Sequence, residues 1–203
     1  MNRNRLLIGT HNRGKVAEIV ASLAGLGYEI VSAGDWNPPF PVPDETDITF
    51  AGNALIKARH YHSFSGDLTL ADDSGLVVDA LEGAPGVHSA RYAGAGASSA
   101  ELVARLLREV EGVPGERRTA RFVCAVAIVD SDLERVFEAA CEGLITMKPS
   151  GSGGFGYDPI FFHSESGRTF AEMTMDEKVA RSHRGRALAM ARLFLKELIE
   201  APR

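Results

Sequence analysis

The chain has 203 residues, 45% of them hydrophobic and 24% charged, and a formal net charge of −5. That much apolar material excludes a disordered chain and predicts one core, hence a single domain over residues 1–203. The acidic balance argues against a nucleic-acid-binding surface, and no apolar run approaches the ~20 residues that a membrane-spanning helix needs.

RLLIG (5–9) reads as a first strand. From Val16 the apolar residues fall at 16, 19, 20 and 23, a helical period that Gly25 and Gly27 end. YEIVSA (28–33) is a second strand, and the proline-rich NPPFPVP (37–43) is an ordered loop. A helix is expected over Thr49 to Tyr61, with Phe50, Ala54, Ala58 and Tyr61 on one stripe. LTLA (68–71) reads as a short strand running into a turn, DDSG, and LVVDAL (76–81) as a further strand. A glycine-rich loop (83–98) ends at Ser98, which with Glu101 spells a capping box before a helix with apolar residues at 102, 103, 106, 107 and 110. TARFVCAVAIVD and RVFEAACEGLI alternate around SDLE and predict a long hairpin. It carries both cysteines, Cys124 and Cys141, as buried thiols that need no disulfide. That fits a cytoplasmic protein, as does an opening without a basic, then apolar, leader pattern. After the loop PSGSGGFGYD come a strand, PIFF, a second capping box at Thr174 and Glu177, and a closing helix to about Ile199. The mixture of βα units with a meander predicts an α/β protein with a mixed sheet.

Gly9 to Lys15 reads G-x-x-x-x-G-K, the phosphate-loop pattern up to its last position. There Val16 replaces the Ser or Thr whose hydroxyl would hold a magnesium ion. Amides at a helix start suit an anion, and Asn12 and Lys15 add a donor and a full charge. A tight βα turn with a solvated lysine is the alternative. If phosphate binds here, the metal that accompanies it needs carboxylates from elsewhere. The candidates are Asp44–Glu45 and Asp72–Asp73. Adjacent carboxylates repel unless a cation or proton lies between them, and one of them can bind metal while the same or the other deprotonates water. An ordinary turn is the alternative for DDSG.

Asn53 and Lys57 lie four apart on one helix face, and Lys57 falls on a partly apolar stripe, an odd place for a solvated lysine. His60 and His62 are two apart, point nearly opposite ways, and read as boundary residues rather than a metal pair. Phe155 and Tyr157 within a glycine run suggest backbone that approaches a flat ligand, with a ring to stack on it. His183 and Arg184 are adjacent donors, with Lys178 before them and Gly185 after.

Five motifs in order, THNRGK, DETDITFAGNALIKA, ADDSGLVVDALEGAPGVHSARYAG, GGFGYDPIF and EKVARSHRGRAL, cover most of the chain. Together they resemble the inosine/xanthosine triphosphate pyrophosphatases. The resemblance implies an elongated mixed β-sheet with flanking helices forming two lobes around a central cleft, in a homodimer. It implies Mg²⁺-dependent hydrolysis of purine nucleoside triphosphates with deaminated bases (ITP, dITP, XTP) to monophosphate and pyrophosphate, with no nucleic-acid or membrane partner. The first loop, Thr10, His11, Asn12, Arg13, Gly14 and Lys15, would carry the triphosphate. Glu45 and Asp73 would hold Mg²⁺ with Asp72 close by, and Asp73 would also accept the water's proton. Lys57 would touch phosphate and act in catalysis, and Ser74 would bind substrate. Phe155, Gly156, Tyr157 and Asp158 would line the nucleoside pocket, and Lys178, His183 and Arg184 would contact the base. His11 departs from the smaller residue common at its position, which touches pocket detail and not the reaction.

Three rivals have distinct signatures. A phosphate-loop kinase or ATPase is disfavoured by Val16. A non-catalytic nucleotide sensor on the same fold would have lost Glu45, Lys57 or Asp73, and all three are present. A pyrophosphatase for other modified nucleotides differs only in substrate profile.

Overall fold

The computed structural model describes residues 5–200. Seven strands form one open, mixed sheet in the order β2-β1-β3-β4-β5-β6-β7. Strand β1 (Arg5–Ile8) pairs in parallel with β2 (Glu29–Ser32), Leu6 opposite Ile30, and with β3 (Leu68–Val78), Leu6 opposite Leu68. Strands β4 (Thr119–Asp130) and β5 (Leu133–Ile145) are joined by two residues, a connection that only an antiparallel hairpin allows. Strand β6 (Phe161–His163) pairs antiparallel with β5 and with β7 (Arg168–Thr169). The mixed α/β sheet expected from the sequence is thus what the chain forms.

The chain clusters into two compact units: Met1–Asp73 with Cys124–Ala139 and Arg184–Arg203, and Ser74–Val123 with Ala140–His183. In the first, the period-two alternation of strands sorts residues between two faces. Leu6, Ile8, Leu68, Leu70, Cys124, Val126 and Ile128 pack with Ile19 and Leu23 of α1 (Arg13–Leu23) and with Ala187, Leu188, Ala191 and Leu195 of α5 (His183–Glu200). Ala71, Ala125, Ala127 and Val129 take the opposite face, against Ala54 and Ala58 of α2 (Phe50–Ser65). Small residues on both partners let α2 lie close to the strands. In the second unit Leu102, Val103 and Leu106 of α3 (Ser99–Glu109) pack with Leu76, Val78, Phe122, Phe161 and Phe170. The capping boxes at Ser98 and Glu101, and at Thr174 and Glu177 before α4 (Met175–Arg181), are both formed as read from the sequence.

The most consequential departure is β3, which runs without interruption through the predicted turn DDSG. Asp72 and Asp73 find cationic partners on opposite faces of the strand, and this tertiary pairing overrides the local turn preference of the tetrapeptide. Asp79–Leu81 and Asp158–Ile160 are short 3₁₀ turns, so the predicted strands LVVDAL and PIFF lose an end each. The closing helix is broken at Ser182, whose extended backbone (φ −72°, ψ 161°) ends α4 and leaves His183 to open α5. Among the described residues both cysteines are buried thiols outside any disulfide, and no helix is long and apolar enough to cross a membrane.

Candidate active site

The first loop is folded largely upon itself. The side-chain oxygen of Asn12 caps α1, accepting the N–H groups of Gly14 (2.9 Å) and Lys15 (3.2 Å), and Thr10 Oγ1 accepts the Asn12 N–H. Gly9 is required by packing: a Cβ there would stand 2.7 Å from the Tyr61 ring. His11 lies beside that ring, with centroids 6.0 Å apart, and Arg13 is exposed in the first helical turn. Lys15 reaches across to β3, its ammonium 3.1 Å from Asp72 Oδ2.

Because Asp72 and Asp73 are neighbours on a strand, their side chains leave opposite faces. Asp72 points toward α1 and α5, where Oδ2 meets both Lys15 and Arg184 Nε at 3.1 Å. Arg184 also pairs with Glu18 of α1, so four buried or part-buried charges form one chain, Lys15–Asp72–Arg184–Glu18. Asp73 points toward α2, where Lys57 Nζ lies 2.7 Å from Asp73 Oδ1 and 2.7 Å from Glu45 Oε1. Lys57 therefore bridges the carboxylates of two residues 28 positions apart in sequence. Its placement answers the oddity noted in the sequence: the lysine lies on the apolar stripe because its charge is used inside.

Burial pushes both aspartates toward the neutral form, with opposite outcomes. At Asp72 the cations Lys15, Arg184 and Lys57 outweigh burial and hold the carboxyl well below the usual range. At Asp73 burial outweighs the attraction of Lys57 and Lys15, and the pKa is raised, the direction that makes a carboxylate a stronger base. Burial lowers the Lys57 pKa, but Asp73, Asp72 and Glu45 more than reverse this and keep it an ammonium. Cys124, with Sγ 3.9 Å from Asp72 Oδ2, has its thiol pushed up to about 12 by burial and then by that carboxylate, so it is no nucleophile at neutral pH.

Two buried carboxylate oxygens, Asp72 Oδ1 and Asp73 Oδ2, have no hydrogen-bond partner among the described residues. Native proteins leave few such groups, and an orphaned carboxylate oxygen fits a cation ligand. Among the described residues no three His, Cys, Asp or Glu side chains gather into a ready-made cage. Glu45 and Asp73 together fit an ion such as Mg²⁺, which takes one or two carboxylates and completes its shell with water and phosphate.

The second unit holds the other predicted residues: Ser74, directly after Asp73 on β3, and the glycine loop with its neighbours. Asp158 is buried, and its Oδ2 accepts both the Phe155 N–H (2.8 Å) and the Lys178 ammonium (2.5 Å). Lys178 Nζ also sits 4.6 Å from the centroid of the Phe155 ring. Gly154, at φ +69°, lies so near the Asp158 carboxylate that a Cβ would collide with it. Gly156 donates its N–H to Ser99 Oγ at the start of α3. Tyr157 is buried and donates its hydroxyl to the Ser89 carbonyl, so it anchors the loop, while Phe155 is part-buried. His183 lies stacked on Phe122, with centroids 4.6 Å apart and planes 11° apart.

The structure thus gathers Lys15, Glu45, Lys57, Asp72, Asp73 and Arg184 in the first unit, and Phe155, Asp158 and Lys178 in the second. Sequence reasoning missed Glu18, whose signal was present: it lies three residues after Lys15 on α1, and so shares the face turned to Asp72.

Residues 6–194 match the model of the Ham1 family. The chain is 50% identical over 187 residues to a dITP/XTP pyrophosphatase of Geobacter sulfurreducens, covering 92% of this chain and 94% of the relative. It is 47% identical over 195 residues to another from Desulforamulus reducens, covering 96% of each. Among solved structures, a HAM1 protein from Coxiella burnetii superposes with a TM-score of 0.84 at 38% identity, over 97% of this chain and 99% of that one. A family match across nearly the whole length, with relatives at about half identity and a shared fold, leaves one conclusion: this chain belongs to the Ham1 family.

Proposed function

We propose that the protein is a Mg²⁺-dependent nucleoside triphosphate pyrophosphatase that hydrolyses deaminated purine nucleotides, ITP, dITP and XTP, to the monophosphate and pyrophosphate. The observation that carries this reading is the Glu45–Lys57–Asp73 bridge beside an orphaned Asp73 oxygen. Two carboxylates and an ammonium meet there, which supports reading them as base and metal ligands beside a phosphate-binding cation. The relatives named dITP/XTP pyrophosphatase support the substrate class.

Glu45 and Asp73 would hold Mg²⁺, which would supply neutralising charge for the leaving pyrophosphate. Asp73 orients a water and takes its proton, with attack at the α-phosphorus. Lys15 and Lys57, with amides of the first loop, take phosphate oxygens and stabilise the charge that grows on them. Thr10, His11, Asn12, Arg13 and Gly14 form the rest of the triphosphate loop, and Ser74 binds substrate. Phe155 stacks on the base, while Gly156, Tyr157 and Asp158 fix the loop that presents it. Lys178 and His183 donate to the 6-oxo group that hypoxanthine and xanthine share. Adenine offers an amino donor at that position and leaves those donors unpaired, a mismatch that discriminates strongly. Arg184 pairs with Glu18 and Asp72 through Nη1 and Nε.

A substrate panel tests this reading. With Mg²⁺ present, pyrophosphate release from ITP, dITP and XTP should far exceed that from GTP and ATP. Equal rates across the panel would remove the specificity claim, and modified pyrimidines turned over instead would move the protein to another substrate class. Light scattering on the same preparation, reading two chains or one, tests the homodimer that the resemblance implies.

A further inference from the structure

We propose that Asn53 is a positioning residue for Glu45 and thereby sets the protein's affinity for its divalent cation; this rests on the reading of Glu45 as a metal ligand. Glu45 belongs to a segment, residues 36–49, without helix or strand. A carboxylate on such a segment needs an external anchor before it can offer a cation a fixed oxygen. Asn53 supplies one.

The Asn53 side chain is fully buried one turn into α2. Its Oδ1 accepts the Asp47 N–H at 2.9 Å, and its Nδ2 donates to the Asp47 carbonyl at 3.1 Å. One side chain therefore closes both hydrogen-bonding groups of one residue's backbone, as a neighbouring strand would. Only a carboxamide carries a donor and an acceptor side by side in this way, and glutamine would displace them by a methylene. The Asp47 carboxylate braces the same turn, accepting the Thr49 N–H (2.8 Å) and the Thr49 hydroxyl (2.7 Å). It lies against Gly52, where any Cβ would overlap it. On the other side of Glu45, His60 Nε2 bonds the Pro41 carbonyl at 2.7 Å, and the Phe40 ring packs against Tyr61. Glu45 is thus suspended between anchors at Pro41 and Asp47, both fastened to α2. From there its carboxylate meets Lys57, one turn beyond Asn53 on the same helix.

Asn53 spends its polar groups on the Asp47 backbone, so its part is to hold the ligand and not to touch phosphate. Loss of an outer partner of this kind typically lowers metal affinity about 10- to 100-fold. The test is Mn²⁺ binding to the nucleotide-free protein by isothermal titration, together with the Mg²⁺ dependence of ITP hydrolysis. For Asn53→Ala we expect Mn²⁺ affinity to fall at least about tenfold. The Mg²⁺ concentration for half-maximal rate should rise in proportion, with kcat at saturating Mg²⁺ nearly retained. Asp47→Ala, at an exposed position, should move both in the same direction by less, and it keeps the test open should the first variant fail to fold. Thr49→Ala removes the helix cap and one of the two hydrogen bonds of the Asp47 brace, so it should lower the melting temperature and shift the metal constant no more than Asp47→Ala does. Unchanged Mn²⁺ affinity in Asn53→Ala, or equal loss in Thr49→Ala, would overturn the assignment, as would a wild-type protein that binds no Mn²⁺. A wild-type protein that binds Mn²⁺ but leaves ITP intact would count against the proposed reaction and leave the Asn53 comparison standing.

Discussion

Asp73 and Asp72 are adjacent, equally acidic in sequence and both buried, yet their surroundings divide the work between them. Asp72 sits among cations that hold it ionised, and through them it fixes Lys15 on one face of β3. Among the described residues Asp73 has Lys57 as its close cation, a raised pKa and an oxygen without a hydrogen-bond partner. The strand's two-residue period is the reason, since it sends neighbours to opposite faces. Asp73→Asn keeps the shape and removes the proposed base. We expect turnover of ITP to fall at least ~100-fold while nucleotide affinity, by titration calorimetry, changes only a few-fold. Near-normal rates in that variant would mean that the proton goes elsewhere.

At the scale of elements, the sequence was most legible where local chemistry and tertiary context agree. Ser98 with Glu101 and Thr174 with Glu177 are capping boxes in sequence and in structure, because all their partners lie within four residues. DDSG was misleading for the converse reason. Its turn propensity is local, whereas the partners that straighten it, Lys15, Lys57 and Arg184, come from three separate helices. The Thr174 box also carries a pH signature. Glu177 is held down to about 2 by its hydrogen bonds to Arg168 and then to the Thr174 N–H. A carboxyl lowered on folding adds stability that is complete above its unfolded pKa and is lost as pH falls through its folded one. Glu177→Gln keeps a cap-competent side chain without the charge. Its melting temperature should lie below that of the wild type at neutral pH, and calorimetry should find the gap closing between about pH 4.5 and about pH 2. A gap independent of pH would assign the effect to shape alone.

For the molecule as a whole, the mixed sheet followed from the order of βα units and the hairpin, and strands β1, β2, β4 and β5 fall close to their expected limits. Less of the site could be read. The residue types were visible, and Lys57 announced itself by an ill-fitting place on its helix. The connections were not visible: Glu18 with Arg184 and Tyr157 with Ser89 join distant parts of the chain, and Asn53 meets the backbone at Asp47 only through the path of the loop between them. Two of these explain residues that motif reading had pointed at the ligand. Tyr157 holds its loop from within, and Arg184 is engaged in a buried ion-pair chain.

The central claim, water attack at the α-phosphorus of a deaminated purine triphosphate, has a direct test. ITP is hydrolysed by the protein with Mg²⁺ in ¹⁸O-labelled water, and the products are resolved by phosphorus NMR. IMP should carry the label and the pyrophosphate should carry none. Label in the pyrophosphate, or orthophosphate with a nucleoside diphosphate in its place, would contradict it.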